Sequence, residues 1–267
     1  MNKLAQLRAQ QFDPKQFGKV AVLMGGHSTE HEVSLQSGQA TLQALLDSGI
    51  EAEGIIVDKT IYETLKSGRY DRAFIALHGK GGEDGSIQGL LEYLGLPYTG
   101  SQITASALAM DKVKAKFIMQ SINVPTKPVM TLSPNTKVEE IIDKLGLPCV
   151  IKPICEGSSF GTTIVHAQEH IKLAMQTAYE YDTQIMAETC IVGNEYTVGI
   201  LADTCLPIMA IQPSRAFYDF EAKYTDDTTS FVIPSGLTVA QEQQLQAMAW
   251  QVYQTFGCRH WGRLDLM

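Results

Sequence analysis

The run KVAVLMGG, residues 19–26, limits the possible folds more than any other stretch of the chain. Five consecutive apolar residues ending on paired glycines have the character of a parallel strand, buried on both faces and turning sharply at its C-terminal end. Behind it, Val33, Leu35, Ala40, Leu42, Leu45 and Leu46 fall at helical spacing. A helix is therefore expected over Val33–Leu46, capped by Ser34 or an earlier polar residue. EAEGIIVD (51–58) is a second strand candidate and YDRAFIALHG (70–79) a third, followed by the glycine-rich GKGGEDGS and a helix over about 87–94. Strands alternating with helices build an open α/β sheet. Ligands of such sheets gather beyond the C-terminal strand ends, here residues 25–32 and 78–86.

From about Ser101 the character changes. A helical stretch over Thr104–Ser121 and a helix near Val138–Leu145 accompany short, often β-branched strand candidates at 148–153, 162–166, 184–190, 194–201 and 206–213. These suit antiparallel pairing in an α+β region. A polar loop at about 214–230, a helix over Ala240–Phe256 and a last strand, HWGRLDLM, complete the reading. Residues 1–17 form a polar extension, expected to be helical.

A chain of 267 residues with 45% apolar content can bury a full core. Its formal charge of -8 argues against a general nucleic-acid or acidic-membrane surface, so an anionic ligand must be met by local lysines. None of the five cysteines forms a C-x-x-C pair, and four sit in apolar runs, as reduced, buried thiols of a cytosolic protein do. With no apolar leader region and no stretch of ~18 apolar residues, neither a signal peptide nor a membrane span is expected. His27 with His31 and His166 with His170 have the spacing of a helical zinc site, but neither lies in H-E-x-x-H and zinc is disfavoured.

The loop EGSSFG, Glu156–Gly161, lies between two strand candidates and follows Lys152. Small residues let backbone N–H groups approach phosphate oxygens, hydroxyls add donors, and the lysine adds charge. A Gly-Ser hairpin loop with a solvated lysine has the same composition, so the loop alone leaves both readings open. G-x-x-x-x-G-K-[ST] is absent, and Asp84 interrupts a possible G-x-G-x-x-G, which disfavours P-loop and nicotinamide enzymes.

Four separated blocks are more specific: MGGHSTEHEVSLQSG, FIALHGKGGEDGSIQGLLEYLGLPYTGS with the following MDK, VIKPICEGSSFG, and FYDFEAKY. In order and spacing they resemble the D-alanine:D-alanine ligase family of ATP-grasp enzymes, from Lys19 onward. The resemblance implies an ATP-grasp fold: an N-terminal open parallel α/β domain over about 18–103, then an ATP-binding domain over 104–267, with a central part to about 193 and a C-terminal part from 194. It also implies that a D-alanine carboxylate attacks the γ-phosphate of ATP to give an acyl phosphate, from which the amine of a second D-alanine displaces phosphate. A carboxylate and a triphosphate repel, so cations must converge on them.

By the same resemblance, Lys112, Lys152 and Lys223 contact phosphates, together with Glu156, Gly157, Ser158 and Ser159 of the loop. Glu188 accepts from the adenine amine, the backbone of Thr189 and Ile191 reads the ring edge, and Glu195 bonds the ribose. Cys190 stands where relatives often carry a larger aromatic. Glu30 and His78 contact the first D-alanine, and Ser158 and Tyr224 hydrogen-bond with Glu30, linking it to a closing loop. A tyrosine at position 224 is typical of peptide-forming rather than ester-forming members. Arg263 stabilises the tetrahedral intermediate and Asp265 binds magnesium (or manganese), both on one face of a strand.

Family members continue past this aspartate with further metal and second-substrate residues, so the metal site is expected to be incomplete in this chain and its activity impaired. D-alanine and ATP are the implied partners, in the cytoplasm of a bacterium that makes peptidoglycan, and a homodimer is one assembly the resemblance allows. Another ATP-grasp carboxylate–amine ligase, or a non-catalytic nucleotide-binding remnant, are the alternatives.

Overall fold

Strand β1 (Val20–Gly25) is buried along its whole length, as its apolar run requires. In the computed structural model, which describes residues 12–67, 69–212 and 229–267, β1 is the central strand of a three-stranded parallel sheet. Helix α1 (His31–Asp47) follows it, then β2 (Ala52–Val57), helix α2 (Ile61–Lys66), β3 (Arg72–Ile75) and helix α3 (Ser86–Tyr93). The order is β2-β1-β3, with Val20 opposite both Ala52 and Arg72.

Alternate residues of β1 feed two cores, as the strand period of two demands. Ala21 and Leu23 pack with Leu65 of α2 and with Ile87 and Leu91 of α3. Val20, Val22 and Met24 pack with Leu35, Leu42 and Leu45 of α1. Helix α1 can lie this close because of Gly38, where a Cβ would fall 2.4 Å from that of Met24.

Helix α1 begins two residues earlier than the spacing indicated, and of the two cap alternatives it is an earlier polar residue, not Ser34, that takes the position. Ser34 sits fully buried inside the first turns, accepting from the Gly25 amide (2.9 Å) and donating to the Ala76 carbonyl (2.8 Å). It ties together the ends of β1 and β3. Residue 30, a glutamate, takes the cap position without a side-chain cap bond.

Further along, the helical stretch expected over Thr104–Ser121 consists of two helices, α4 (Ile103–Met110) and α5 (Lys112–Ser121). Asp111 is extended between them (φ -82, ψ 99), and its carboxylate accepts from the amides of Val113 and Lys114, satisfying orphan donors of α5. A four-stranded antiparallel sheet then forms from β4 (Val129–Leu132), β5 (Cys149–Pro153), β6 (Thr163–Val165) and β7 (Ile185–Thr189), in the order β4-β7-β5-β6. Helices α6 (Val138–Leu145) and α7 (Ile171–Tyr179) cover one face, burying Ile141, Leu145, Ile171 and Ala178 against Cys149, Ile151, Ile185 and Ala187. On the other face, Val113 of α5 packs with Val129, Ile154 and Met186.

The last sheet contains β8 (Glu195–Leu201), a short β9 (Thr204–Cys205), β10 (Met209–Gln212), β11 (Ser230–Val232) and β12 (Trp261–Leu266), with helix α8 (Val239–Phe256) preceding β12. Its path is β11-β10-β8-β12, with β9 paired to β8. Helices α2 and α7 and strands β4, β9 and β11 have no counterpart among the sequence expectations; α2 is a six-residue segment too short for a periodic signal.

The described residues fall into two compact units. The first runs to Ala107 and takes in Leu201–Thr204 and Gly257–Gly262; the second holds Leu108–Ile200, Cys205–Phe256 and Arg263–Met267. No cysteine is in a disulfide, but only Cys149 is fully buried; the other four are partly exposed, contrary to the expectation from their apolar runs.

Candidate active site

In the first unit, Glu30 and His78 lie just beyond the C-terminal ends of β1 and β3. The Ser28 hydroxyl bridges them, donating to the His78 carbonyl (2.7 Å) and accepting from the Glu30 amide (3.2 Å). The His78 ring meets the Ser37 hydroxyl at 3.1 Å. Glu30 is 4% exposed, and its carboxylate occupies the space where a side chain at position 79 would begin: a Cβ on Gly79 would lie 2.9 Å from Glu30 Oε2. With φ +67 as well, position 79 suits only glycine. His31, of the first histidine pair, turns its Nδ1 to the Gly26 carbonyl (2.8 Å) and so belongs to the turn.

The remaining described candidates belong to the second unit. Glu156–Gly161 is the loop of the β5–β6 hairpin, whose strands register Cys149 with Val165 and Ile151 with Thr163. Ser158 (φ 48) and Ser159 (φ 63) both adopt left-handed backbone, uncommon outside glycine and typical of loops shaped by function. The loop is braced by Asp182, which accepts from the Cys155 amide (3.0 Å), and by Phe160 stacked on Tyr181 at 5.8 Å.

Lys112 opens α5 and reaches under this loop, donating to the carbonyls of Ile154 (3.0 Å) and Glu156 (2.5 Å). Burial, and after it the nearby Lys152 ammonium, push its pKa down to about 8. Lys152 and Glu188 project from adjacent strands β5 and β7 on one face of the sheet, in diagonal register, and form an ion pair. The other Glu188 oxygen is held by Lys116 of α5 at 2.7 Å. Burial drives the Glu188 carboxyl up, but Lys152 and then Lys116 outweigh it and hold the group below the ordinary carboxylate value. Lys152 thus points at Glu188 rather than directly into the hairpin loop.

Thr189 ends β7, its amide donating to the Pro128 carbonyl (3.4 Å) and its hydroxyl to that of Leu145 (3.2 Å). Ile191 lies in the connection that follows, and Glu195 begins β8 opposite Ile211. Arg263 and Asp265 share a face of β12 and pair with each other at 2.9 and 3.0 Å, 69% and 51% exposed. The Thr197 hydroxyl of neighbouring β8 donates to Asp265 (2.9 Å) and helps hold it. The Asp265 carboxylate is a hard oxygen donor of the kind magnesium takes. Lys223 and Tyr224, and most of the loop at 214–230, lie outside the described residues.

Lys116 and Thr197 were missed in the sequence. Lys116 stands four residues after Lys112, so helical spacing puts both on one side of α5. That signal was present, but nothing nearby in sequence says which carboxylate it meets.

Antiparallel sheets bearing a glycine–serine hairpin loop, a buried lysine beneath it and a lysine-held carboxylate on the next strand define the class as ATP-grasp. Residues 58–101 match the family described as D-ala D-ala ligase N-terminus, and residues 118–267 that described as D-ala D-ala ligase C-terminus. The D-alanine–D-alanine ligase of Nitrosococcus oceani is 50% identical over 254 residues, 95% of this chain and 80% of the relative. That of Acinetobacter baumannii is 47% identical over 254 residues, 94% of this chain and 82% of the relative. Among solved structures, the Bacillus anthracis D-alanine–D-alanine ligase superposes with a TM-score of 0.82 at 33% identity, covering 94% of this chain and 82% of that one. A D-Ala:D-Ser ligase from Enterococcus faecalis reaches 0.78 at 28% identity, over 93% and 85%. The chain belongs to the D-alanine–D-alanine ligase family.

Proposed function

We propose that this chain binds ATP and D-alanine and serves the ATP-dependent joining of two D-alanine molecules, through an acyl phosphate, for peptidoglycan precursors in the bacterial cytoplasm. Among the described residues no helix is long and apolar enough to cross a membrane. One observation carries the reading: Lys112 and Lys152 sit with Glu188 beside the hairpin loop, offering cations for phosphates and a buried acceptor for an exocyclic amine. A solved relative at 29% identity and a TM-score of 0.81 is described as complexed with ATP.

In this reading Glu30 holds the ammonium of the first D-alanine, with His78 beside it. Burial strengthens that pairing, because little water competes for either charge. Glu156, Gly157, Ser158 and Ser159 line the phosphates with Lys112, Lys152 and Lys223. Glu188, Thr189 and Ile191 take the adenine and Glu195 the ribose. Ser158, on the hairpin loop, and Tyr224, outside the described residues, are the further residues this reading assigns to the substrate side. Arg263, as a rigid planar donor, stabilises the developing oxyanion. Asp265 would hold magnesium, which when bound neutralises phosphate charge.

The site is tested by equilibrium binding of ATP and GTP to the chain and to Glu188→Gln. ATP preference in the parent, lost in the variant, is expected; equal binding of both nucleotides by the parent overturns the adenine assignment. Substrate choice is tested by amino-acid-dependent phosphate release. Stimulation by other amino acids but none by D-alanine favours a different ATP-grasp ligase.

A further inference from the structure

Helix α5 carries three lysines with three different partners. Lys112 donates to loop carbonyls, Lys114 pairs outward with the cap residue Asp111 and stays 63% exposed, and Lys116 reaches Glu188. The Lys116 and Glu188 side chains are 16% and 13% exposed, so both charges are largely withdrawn from water. Glu188 therefore holds two ammonium groups, Lys116 on Oε2 and Lys152 on Oε1, with only one negative charge.

That imbalance has a chemical consequence. Were Lys152 the sole partner of Glu188, the two charges would cancel, and an arriving phosphate could recruit Lys152 only by leaving a buried carboxylate uncompensated. Removing one member of a buried pair is strongly unfavourable. A second ammonium keeps the carboxylate satisfied while the first changes partner. Stability alone does not call for a second cation, since buried ion pairs contribute little net stabilisation.

We propose that Lys116 is a positioning residue of the nucleotide site: it holds Glu188 from the α5 side, so that Lys152 is free to turn to phosphate and Glu188 keeps its place for the base. This rests on the nucleotide-site reading above. Lys116 acts through Glu188 and contacts no phosphate itself.

The distinguishing experiment is a double-mutant cycle on ATP binding with the full chain, Lys116→Met, Glu188→Gln and the pair, each checked for folding by thermal melt. Lys116→Met should weaken ATP binding roughly tenfold in the parent, but less than about twofold once Glu188 has become glutamine and no longer needs a counter-ion. Lys116→Arg, which keeps the charge, should restore most of the affinity, and it serves the cycle if the methionine variant does not fold: arginine should then bind ATP within about threefold of the parent. An equal loss from Lys116→Met in both backgrounds, no loss in either, or an arginine variant as weak as the methionine one overturns the proposal. A parent that binds no ATP overturns the nucleotide site as well, and is recognised because all the proteins then fail alike.

Discussion

Lys112 offers a direct test of the electrostatics beneath the hairpin loop. Its ammonium is desolvated, with Lys152 nearby, and its pKa falls from the ordinary 10.5 to about 8. At about 1.4 kcal/mol per tenfold change in proton affinity, this difference corresponds to roughly 3 kcal/mol. The sign follows from proton counting. Between pH 8 and 10.5 the unfolded chain keeps the Lys112 proton while the folded chain has released it, so the unfolded state binds more protons and stability rises with pH. The penalty is fully present below pH 8 and gone above 10.5. Denaturant unfolding of the parent and of Lys112→Met at stepped pH isolates this contribution, since other groups titrate in both. The parent should gain about 3 kcal/mol relative to the variant across that window. ATP affinity of the parent should meanwhile fall as pH climbs past about 8, because a neutral amine no longer attracts phosphate. A stability difference that is flat across the window, with ATP affinity unchanged to pH 9.5, would refute the reasoning.

Two further outcomes follow from other parts of the fold. Ser34→Ala leaves the Gly25 amide and the Ala76 carbonyl without their buried partner and should cost about 2 kcal/mol in urea unfolding; an unchanged midpoint would show that the strand ends are held by something else. Arg263→Lys replaces a bidentate donor whose pair with Asp265 is mostly exposed, so thermal stability should move by less than about 0.5 kcal/mol. D-alanine-dependent ligation should nonetheless fall at least tenfold, and undiminished turnover would remove Arg263 from the chemistry.

Much of the fold was legible because local periodicity reports local structure. The run at 19–26 holds a fully buried central strand, Val20–Gly25, and the strand candidates at 148–153 and 162–166 do flank a hairpin loop. Misreadings arose where one residue type serves two ends. Ser34 has the composition of a helix cap but spends its hydroxyl on two other strands' backbone, 9 and 42 residues away. Asp111 falls inside the helical stretch expected over Thr104–Ser121, yet its carboxylate serves as the cap that starts α5. The cysteines followed their apolar neighbours in sequence but not in burial, because strand ends and connections expose what the run itself hides.

By itself the sequence determined the family, through four blocks in order, and the residue types available to a site: lysines, carboxylates and a glycine–serine loop. Only the tertiary structure decided which charges meet. Lys152 and Glu188 are 36 residues apart and join because β5 and β7 pair in a register that puts them on one face. Lys116 reaches the same carboxylate because α5 packs on that face through Val113. Spacing along a chain encodes the face a side chain takes within its own element, whereas the partner across a sheet or under a helix is set by how whole elements pack.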